Sequence, residues 1–318
     1  MTDYPERLAA MQPFWGAWYL DALLGEGSYG KVFRIRREEF GVTVYSALKW
    51  IALPQSQSEL RALESEGMDE ASLREYLQGV VQSLQSEVTL LSRLRGTSHI
   101  VSLEDYSFIE RTDEVGWDVL VRMELLTPLP DRLRDGMTVG DVLKMGLHLC
   151  DALSLCAQHG IVHRDIKPDN IFYSPNGDYK LGDFGVARQM DRTQTNMSRK
   201  GTPFFMAPEV FLGKPGDATV DQYSLGLVLH NLLNGNRIPF VDVSNRMPSM
   251  AERDEAYRRR MTGVPIPAPI LGSKKLKAVV CKAASYKAAD RFPSAEALRD
   301  ALLACKADLA DETPLMEK

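Results

Sequence analysis

Cysteine is scarce in this chain, with four in 318 residues at positions 150, 156, 281 and 305. They form neither a Cys-x-x-Cys pair nor a metal-type cluster, so no disulfide framework is expected and they read as reduced thiols buried in helices. No run approaches the roughly 18 uninterrupted apolar residues that a membrane-spanning helix needs. The opening Met1-Thr2-Asp3-Tyr4-Pro5-Glu6-Arg7 has no basic stretch leading into an apolar one, which reads as a soluble, cytoplasmic protein without a leader. Positive charge is not in excess: 38 Lys plus Arg face 43 Asp plus Glu, and the net charge of −5 excludes a bulk polycation for nucleic acid. Internal repeats and low-complexity tracts are missing as well. What remains is ordinary globular composition, 44% hydrophobic and 25% charged, enough to bury a core. The length fits one large domain or two medium ones, and one domain in two lobes satisfies the same arithmetic.

The first part of the chain reads as strands. Two short apolar runs flank Gly25-Glu26-Gly27-Ser28-Tyr29-Gly30, and Val42 to Trp50 is β-branched and aromatic enough for a third strand. The polar stretch 55–70 reads as an exposed, solvated insertion. A helix then follows, with Ser72 and Glu75 spaced as a capping box and Leu73, Leu77, Val80, Leu84, Val88, Leu91 and Leu94 forming one apolar stripe. Residues 100–108 and 119–125 read as two further strands. After the proline-bearing segment 127–134, a natural hinge, the character turns helical, with apolar periodicity over 139–159, 218–233 and 276–285. The run Val264-Pro265-Ile266-Pro267-Ala268-Pro269 must be loop.

Taken alone, the glycine turn is a weak signal, because plain hairpins use such turns too. A dinucleotide fingerprint would need a helix directly after the glycines, and a strand follows instead; a glycine hairpin folding its N–H groups over phosphates stays open. Further on stand His163-Arg164-Asp165-Ile166-Lys167-Pro168-Asp169-Asn170 and, thirteen residues after Asn170, Asp183-Phe184-Gly185. The stretch between them reads as a hairpin turning at Asn176-Gly177, which would hold Asn170 and Asp183 near each other. Two oxygen ligands at one place suit a hard Mg²⁺ ion carried in with a polyphosphate.

In this order, with Lys49 and Ala207-Pro208-Glu209, these motifs make the chain resemble a eukaryotic-type (Hanks-type) serine/threonine protein kinase catalytic domain, bacterial-like in wording. The resemblance implies an α+β fold in two lobes, a small antiparallel sheet with one long helix followed by a mostly helical part. It implies an N-terminal extension 1–17, a kinase domain 18–305 (first lobe 18–123, hinge 124–130, second lobe 131–305) and a mobile tail 306–318. It implies Asp165 as catalytic base, Lys167 on the γ-phosphoryl group, Asn170 and Asp183 on Mg²⁺ (Mn²⁺ as a substitute), and Lys49 on the α- and β-phosphates of ATP. Glu87, bordering the apolar stripe, is the expected partner of Lys49. The nucleotide would meet Leu24, Gly25, Glu26, Gly27, Ser28, Tyr29, Gly30, Lys31, Val32, Ala47 and Phe172, with Met123 as gatekeeper and Glu124, Leu125 and Leu126 as hinge.

The same resemblance gives Arg164, Thr202, Glu209, Asp221 and Arg291 as organisers of the activation segment, Arg291 pairing with Glu209. Thr193 and Thr195, then Ser198, are the expected autophosphorylation sites, facing Arg164 as a phosphate partner and reached through a transient homodimer. Protein Ser/Thr hydroxyls are the expected acceptors, and Asp169 hints at basic residues near them. The competing readings are a small-molecule kinase of related fold and a nucleotide-binding pseudokinase. Against the first stand the full activation segment and Lys167; the second would lack one of Lys49, Asp165, Asn170 and Asp183, and all four are present.

Overall fold

The computed structural model describes residues 5–27, 30–94, 96–184, 204–214, 216–242 and 248–316, less the side chains of 57, 87 and 90. They fall into two compact units: one holds residues up to 97 and 101–125, the other holds 98–100 and the residues from 126 onward. No helix among the described residues is long and apolar enough to cross a membrane.

The first unit is built on an antiparallel sheet of β1 (Tyr19–Gly27), β2 (Gly30–Glu39), β3 (Val42–Leu53), β4 (Leu103–Glu110) and β5 (Trp117–Met123), in the order β1-β2-β3-β5-β4. Strand alternation sends neighbouring side chains to opposite faces. Ile51, Leu53, Val119 and Val121 therefore enter one apolar cluster, while Leu48, Trp50 and Leu120 enter another. The first cluster is closed by α3 (Glu70–Ser92), whose Leu73, Leu77, Val80, Leu84 and Val88 are all buried, as the stripe predicts. That helix starts before the expected capping box: the Asp69 carboxylate accepts the Ser72 N–H at 2.8 Å, so Ser72 already lies within the first turn. The stretch read as a solvated insertion contains α2 (Gln57–Ser65), capped by Ser56, and its Leu63 is buried in the same cluster, with Leu60 and Met68 packed against it.

The second cluster is closed by the chain's own start. Leu8 of α1 (Glu6–Ala10), Phe14 and Trp18 are buried against Leu20, Phe33, Ile35, Leu48, Trp50 and Leu120. Each such apolar side chain contributes roughly 1.5–3 kcal/mol of burial, so residues 8–18 are a structural layer and not an appendage. Polar contacts fix the same layer, with Arg122 over the rings of Trp15 and Trp18, and Arg7 at 2.9 Å from Glu114. At the edge of this layer the fully buried Asp118 accepts from Trp50 Nε1 at 2.8 Å and from Arg111 Nε at 3.0 Å, which compensates its charge.

The second unit is mostly helical. It contains α4 (Leu129–Asp135), α5 (Val139–Gln158), α6 (Pro208–Phe211), α7 (Thr219–Leu233), α8 (Met250–Met261), α9 (Lys274–Ala283) and α10 (Ala295–Leu303). α7 is buried on every side and packs against α5 and α9. A small sheet of β6 (Thr127–Pro128), β7 (Ile171–Tyr173) and β8 (Tyr179–Leu181) contains the hairpin read at Asn176-Gly177. The segment read as a hinge divides instead: 124–125 belong to the first unit, whereas 127–128 form β6 and 129–135 form α4. Three of the four cysteines are buried, Cys281 is half-buried, and all four are free. The end of the chain, read as a mobile tail, lies along the start of α5. Thr313 and Asp311 carbonyls accept the N–H groups of Val139 and Gly140 at 3.0 and 2.9 Å, and Leu315 is buried. At Gly140 a Cβ would stand 2.4 Å from the Leu309 carbonyl, so the tail requires glycine there.

Candidate active site

In the first unit the glycine turn is the end of the β1–β2 hairpin, with Gly25 opposite Val32, Glu26 opposite Lys31 and Gly27 opposite Gly30. Gly30 has φ of 140°, and a Cβ there would meet the Trp50 carbonyl oxygen at 2.2 Å, so β2 can approach β3 this closely only with glycine. Ser28 and Tyr29 lie outside the described residues. Lys49 is opposite Val32 on β2 and Val121 on β5, and shares the face of Ile51 and Leu53, the face that α3 covers. It is buried to 9% exposure, well below what an unplaced lysine shows. Glu87 lies on α3 between Leu84 and Val88, both of which pack toward that face; its side chain is outside the described set. Ala47 is buried opposite Met123, and Leu24 is 48% exposed. The Glu124 carboxylate accepts the Ser102 N–H at 2.6 Å, and the Glu124 N–H donates back to the Ser102 carbonyl.

In the second unit the loop 161–167 follows α5 with no ladder of its own, and buried side chains shape it. Both oxygens of Asp221, on α7, accept backbone N–H groups at 2.7 Å, from His163 and from Arg164. Burial pushes the Asp221 carboxyl up, opposed by His163 and these two N–H groups. Arg164 takes a left-handed backbone, φ 63°, which turns the chain toward Asp165. The His163 ring joins the two motifs. Its Nδ1 accepts the Asp165 N–H at 3.2 Å, so Nε2 carries the proton and donates to the Gly182 carbonyl at 3.0 Å. Burial lowers the His163 pKa and keeps the ring neutral, and its ring centroid lies 4.6 Å from that of the buried Phe184. Sequence reasoning passed over His163; its signal was its place at the head of the tripeptide ending in Asp165.

Asp165 Oδ2 stands 3.0 Å from Lys167 Nζ and 3.1 Å from Asn170 Nδ2, and Asn170 Nδ2 also donates to the Asp165 carbonyl at 2.8 Å. The Gly182 N–H donates to the Asn170 carbonyl at 2.9 Å, so the hairpin brings Asn170 to the residue before Asp183. Asp183 is exposed and left-handed, φ 54°. Phe172 lies on β7 beside these residues in sequence. Glu209 meets the buried Arg291 through two bonds, at 2.6 and 2.8 Å, the pairing that the family resemblance implies. The remaining guanidinium N–H groups go to the carbonyls of Thr219, Ser285 and Tyr286, so all five donors are used. Gly185, Thr193, Thr195, Ser198 and Thr202 lie outside the described residues.

Comparison with known proteins agrees with this arrangement: the protein kinase domain family matches residues 18–303. The chain belongs to the protein kinase family. Its relatives include serine/threonine-protein kinase 36 of Pongo abelii, 36% identical over 67% of this chain and 14% of that protein. Serine/threonine-protein kinase Pkn1 of Myxococcus xanthus is 37% identical over 57% of this chain and 26% of that protein, and PknB of Mycolicibacterium smegmatis is 34% identical over 52% and 26%. This protein kinase chain thus covers 14 to 26% of the length of these three relatives. The family match begins at residue 18, so the layer formed by residues 8–17 lies outside it.

Proposed function

We propose that this protein is an ATP-dependent serine/threonine protein kinase, transferring the γ-phosphoryl group of Mg-ATP to Ser/Thr hydroxyls of proteins. The observation that carries the reading is the convergence of Lys167 and Asn170 on one oxygen of Asp165, within a loop anchored to Asp221. Asp165 would accept a hydrogen bond from the acceptor hydroxyl, orient it for in-line attack and take its proton as the bond to phosphorus forms. Lys167, 3.0 Å away, would offset the negative charge of the phosphoryl group as it moves. Asn170 spends its amide nitrogen on Asp165, so its oxygen is the atom a cation would take, and with the Asp183 carboxylate this donor set fits a hard ion such as Mg²⁺, or Mn²⁺ in its place. Such an ion supplies charge neutralisation on the phosphate oxygens.

In the first unit Lys49 would hold the α- and β-phosphates, with Glu87 as its partner on α3. Gly25 to Val32 would cover the phosphates, and Leu24, Ala47, Met123 and the backbone of Glu124 and Leu125 would receive the adenine. Thr193, Thr195 and Ser198 would be autophosphorylated through a transient encounter of two copies, with Arg164, which is exposed, as the phosphate partner. The Glu209–Arg291 clamp of a complete activation segment favours a protein acceptor over a small molecule.

The test is incubation with Mg²⁺ and labelled ATP, with mass spectrometry of the chain and of a peptide library. Asp165→Asn should lower transfer by roughly 10²- to 10⁴-fold with nucleotide affinity retained. Transfer at the wild-type rate in that variant would refute the reading.

A further inference from the structure

Three ligand-type side chains of the second unit meet outside the set assigned to nucleotide, Mg²⁺ and acceptor. His99 belongs to residues 98–100, which join the second unit although the chain on either side of them counts with the first. His148 lies in the middle of α5, and Asp178 stands in the turn that joins β7 to β8. One nitrogen of each ring and one oxygen of the carboxylate lie within 4.8 Å of one another. The two rings stack with centroids 4.0 Å apart, and His148 Nδ1 stands 3.9 Å from Asp178 Oδ1. Backbone bonds hold the group in place. The His99 carbonyl accepts the Leu181 N–H at 2.9 Å, and Asp178 donates its N–H to Ser174 Oγ at 3.1 Å.

The donor atoms select an ion. His99 Nδ1 is buried and makes no hydrogen bond among the described residues, while its Nε2 faces Asp151 at 3.9 Å. A neutral imidazole that keeps its proton on the nitrogen facing a carboxylate leaves the other lone pair for a metal. Two imidazoles and one carboxylate suit Zn²⁺ and its neighbours, whereas Mg²⁺ prefers oxygen alone. Charge attraction adds little, because Asp151 is paired with Arg299 at 2.5 Å and Lys144 reaches the same turn at Gly177. Asp178 is 37% exposed, so the group opens to solvent on that side and admits a water. Ligands about 2.1 Å from a tetrahedral ion stand about 3.4 Å apart, so these three need to close by only about 1 Å. Binding carries one cost. His148 Nδ1 accepts the Tyr179 N–H at 3.1 Å, and that acceptor is lost whichever ring nitrogen takes the ion: either the metal occupies the Nδ1 lone pair or the proton leaving Nε2 does.

We propose that His99, His148 and Asp178 bind one divalent transition-metal ion of the zinc class, with water as the fourth ligand and with side chains other than the Asn170 and Asp183 pair expected for Mg²⁺. The ion joins residues 98–100, α5 and the β7–β8 turn, and it releases the Tyr179 N–H at the start of β8. The inference stands apart from the kinase reading, since it concerns binding and not phosphoryl transfer.

The experiment titrates the chelator-treated full chain with Zn²⁺ and, as a probe read by its visible absorption, with Co²⁺. Wild type should bind one ion, with a Co²⁺ spectrum free of the near-ultraviolet band of a cobalt–thiolate bond, and excess Mg²⁺ should not displace it. His99→Gln and Asp178→Asn should each weaken Zn²⁺ binding by at least about tenfold. Asp183→Asn, which removes a carboxylate expected for Mg²⁺, should leave it within about twofold. In amide exchange Zn²⁺ should quicken Tyr179 and slow residues 98–100. Absence of Zn²⁺ binding, an unchanged affinity in Asp178→Asn, a thiolate band, or ready displacement by Mg²⁺ would overturn the proposal. Asp178 lies at the surface of a turn, so its variant decides the matter even where His99→Gln does not fold.

Discussion

The two units hold their site residues by different means. In the first, Lys49 is placed by strand register: Leu48 and Trp50 are buried on one face, Ile51 on the other, and alternation leaves Lys49 no other direction. In the second, Asp165 lies on a loop with no ladder, and its place depends on the Asp221 carboxylate and the two nitrogens of His163. A sheet distributes that task over many interchangeable apolar contacts, whereas a loop concentrates it on a few polar atoms that have no substitute. The two units should therefore fail differently.

The largest effect should come from Asp221→Ala. It leaves the buried N–H groups of His163 and Arg164 without acceptors, at roughly 1–3 kcal/mol each, and should cost at least about 100-fold in transfer rate even in the fraction that stays folded. Calorimetry and steady-state kinetics on the same preparation check both numbers. Leu48→Ala should cost about 2–5 kcal/mol of stability, yet the folded enzyme should keep its kcat within a few-fold. If Leu48→Ala abolished turnover while folded, or Asp221→Ala kept it, the contrast between the units would be broken.

A smaller effect sharpens the contrast through pH. All five histidines, at 99, 148, 159, 163 and 230, lie in the second unit, and all four tryptophans, at 15, 18, 50 and 117, lie in the first. Burial, helped by nearby His99, holds the His148 pKa down to about 4, and burial also lowers His163 and His230. A histidine depressed on folding takes its proton first in the unfolded chain. Its stability is fully present above about pH 6.5 and is lost as the pH falls from there toward 4, by at most about 1.4 kcal/mol per pH unit for each such group. Amide exchange in the second unit should therefore quicken across that window before tryptophan emission from the first unit changes. Simultaneous change in both would mean that the units share one acid response.

The sequence was most legible where chemistry and spacing coincide. The hairpin between Asn170 and Asp183 and the apolar stripe of α3 are written in residue identity, whereas the Glu209–Arg291 pair was legible only through the family resemblance. Less legible were elements whose reason lies elsewhere in the chain. The stretch 55–70 is polar enough to read as solvated, but a short capped helix and two leucines, Leu60 and Leu63, suffice once α3 and the sheet offer a surface. α8 carries seven charged residues in twelve, so no apolar stripe announced it; the Ser249–Glu252 capping box was its only local mark. Its buried Arg260 could not be told from the exposed Arg258 and Arg259 by sequence, because burial is a property of the assembled helix. The end of the chain likewise looked like solvated charge, with Leu315 too isolated to signal docking.

That docked end has a practical consequence together with the layer at the start. The stretch that matches the family, 18–303, is shorter than the stretch that folds. A fragment trimmed to it would strip Leu8 and Phe14 from the cluster of Leu48, Trp50 and Leu120 in one unit and remove the acceptors of the Val139 and Gly140 N–H groups of α5 in the other. Homology marks where relatives agree; the material that shields the sheet and closes the helix lies outside the matched stretch, and an expression boundary drawn at the match would cut through folded structure.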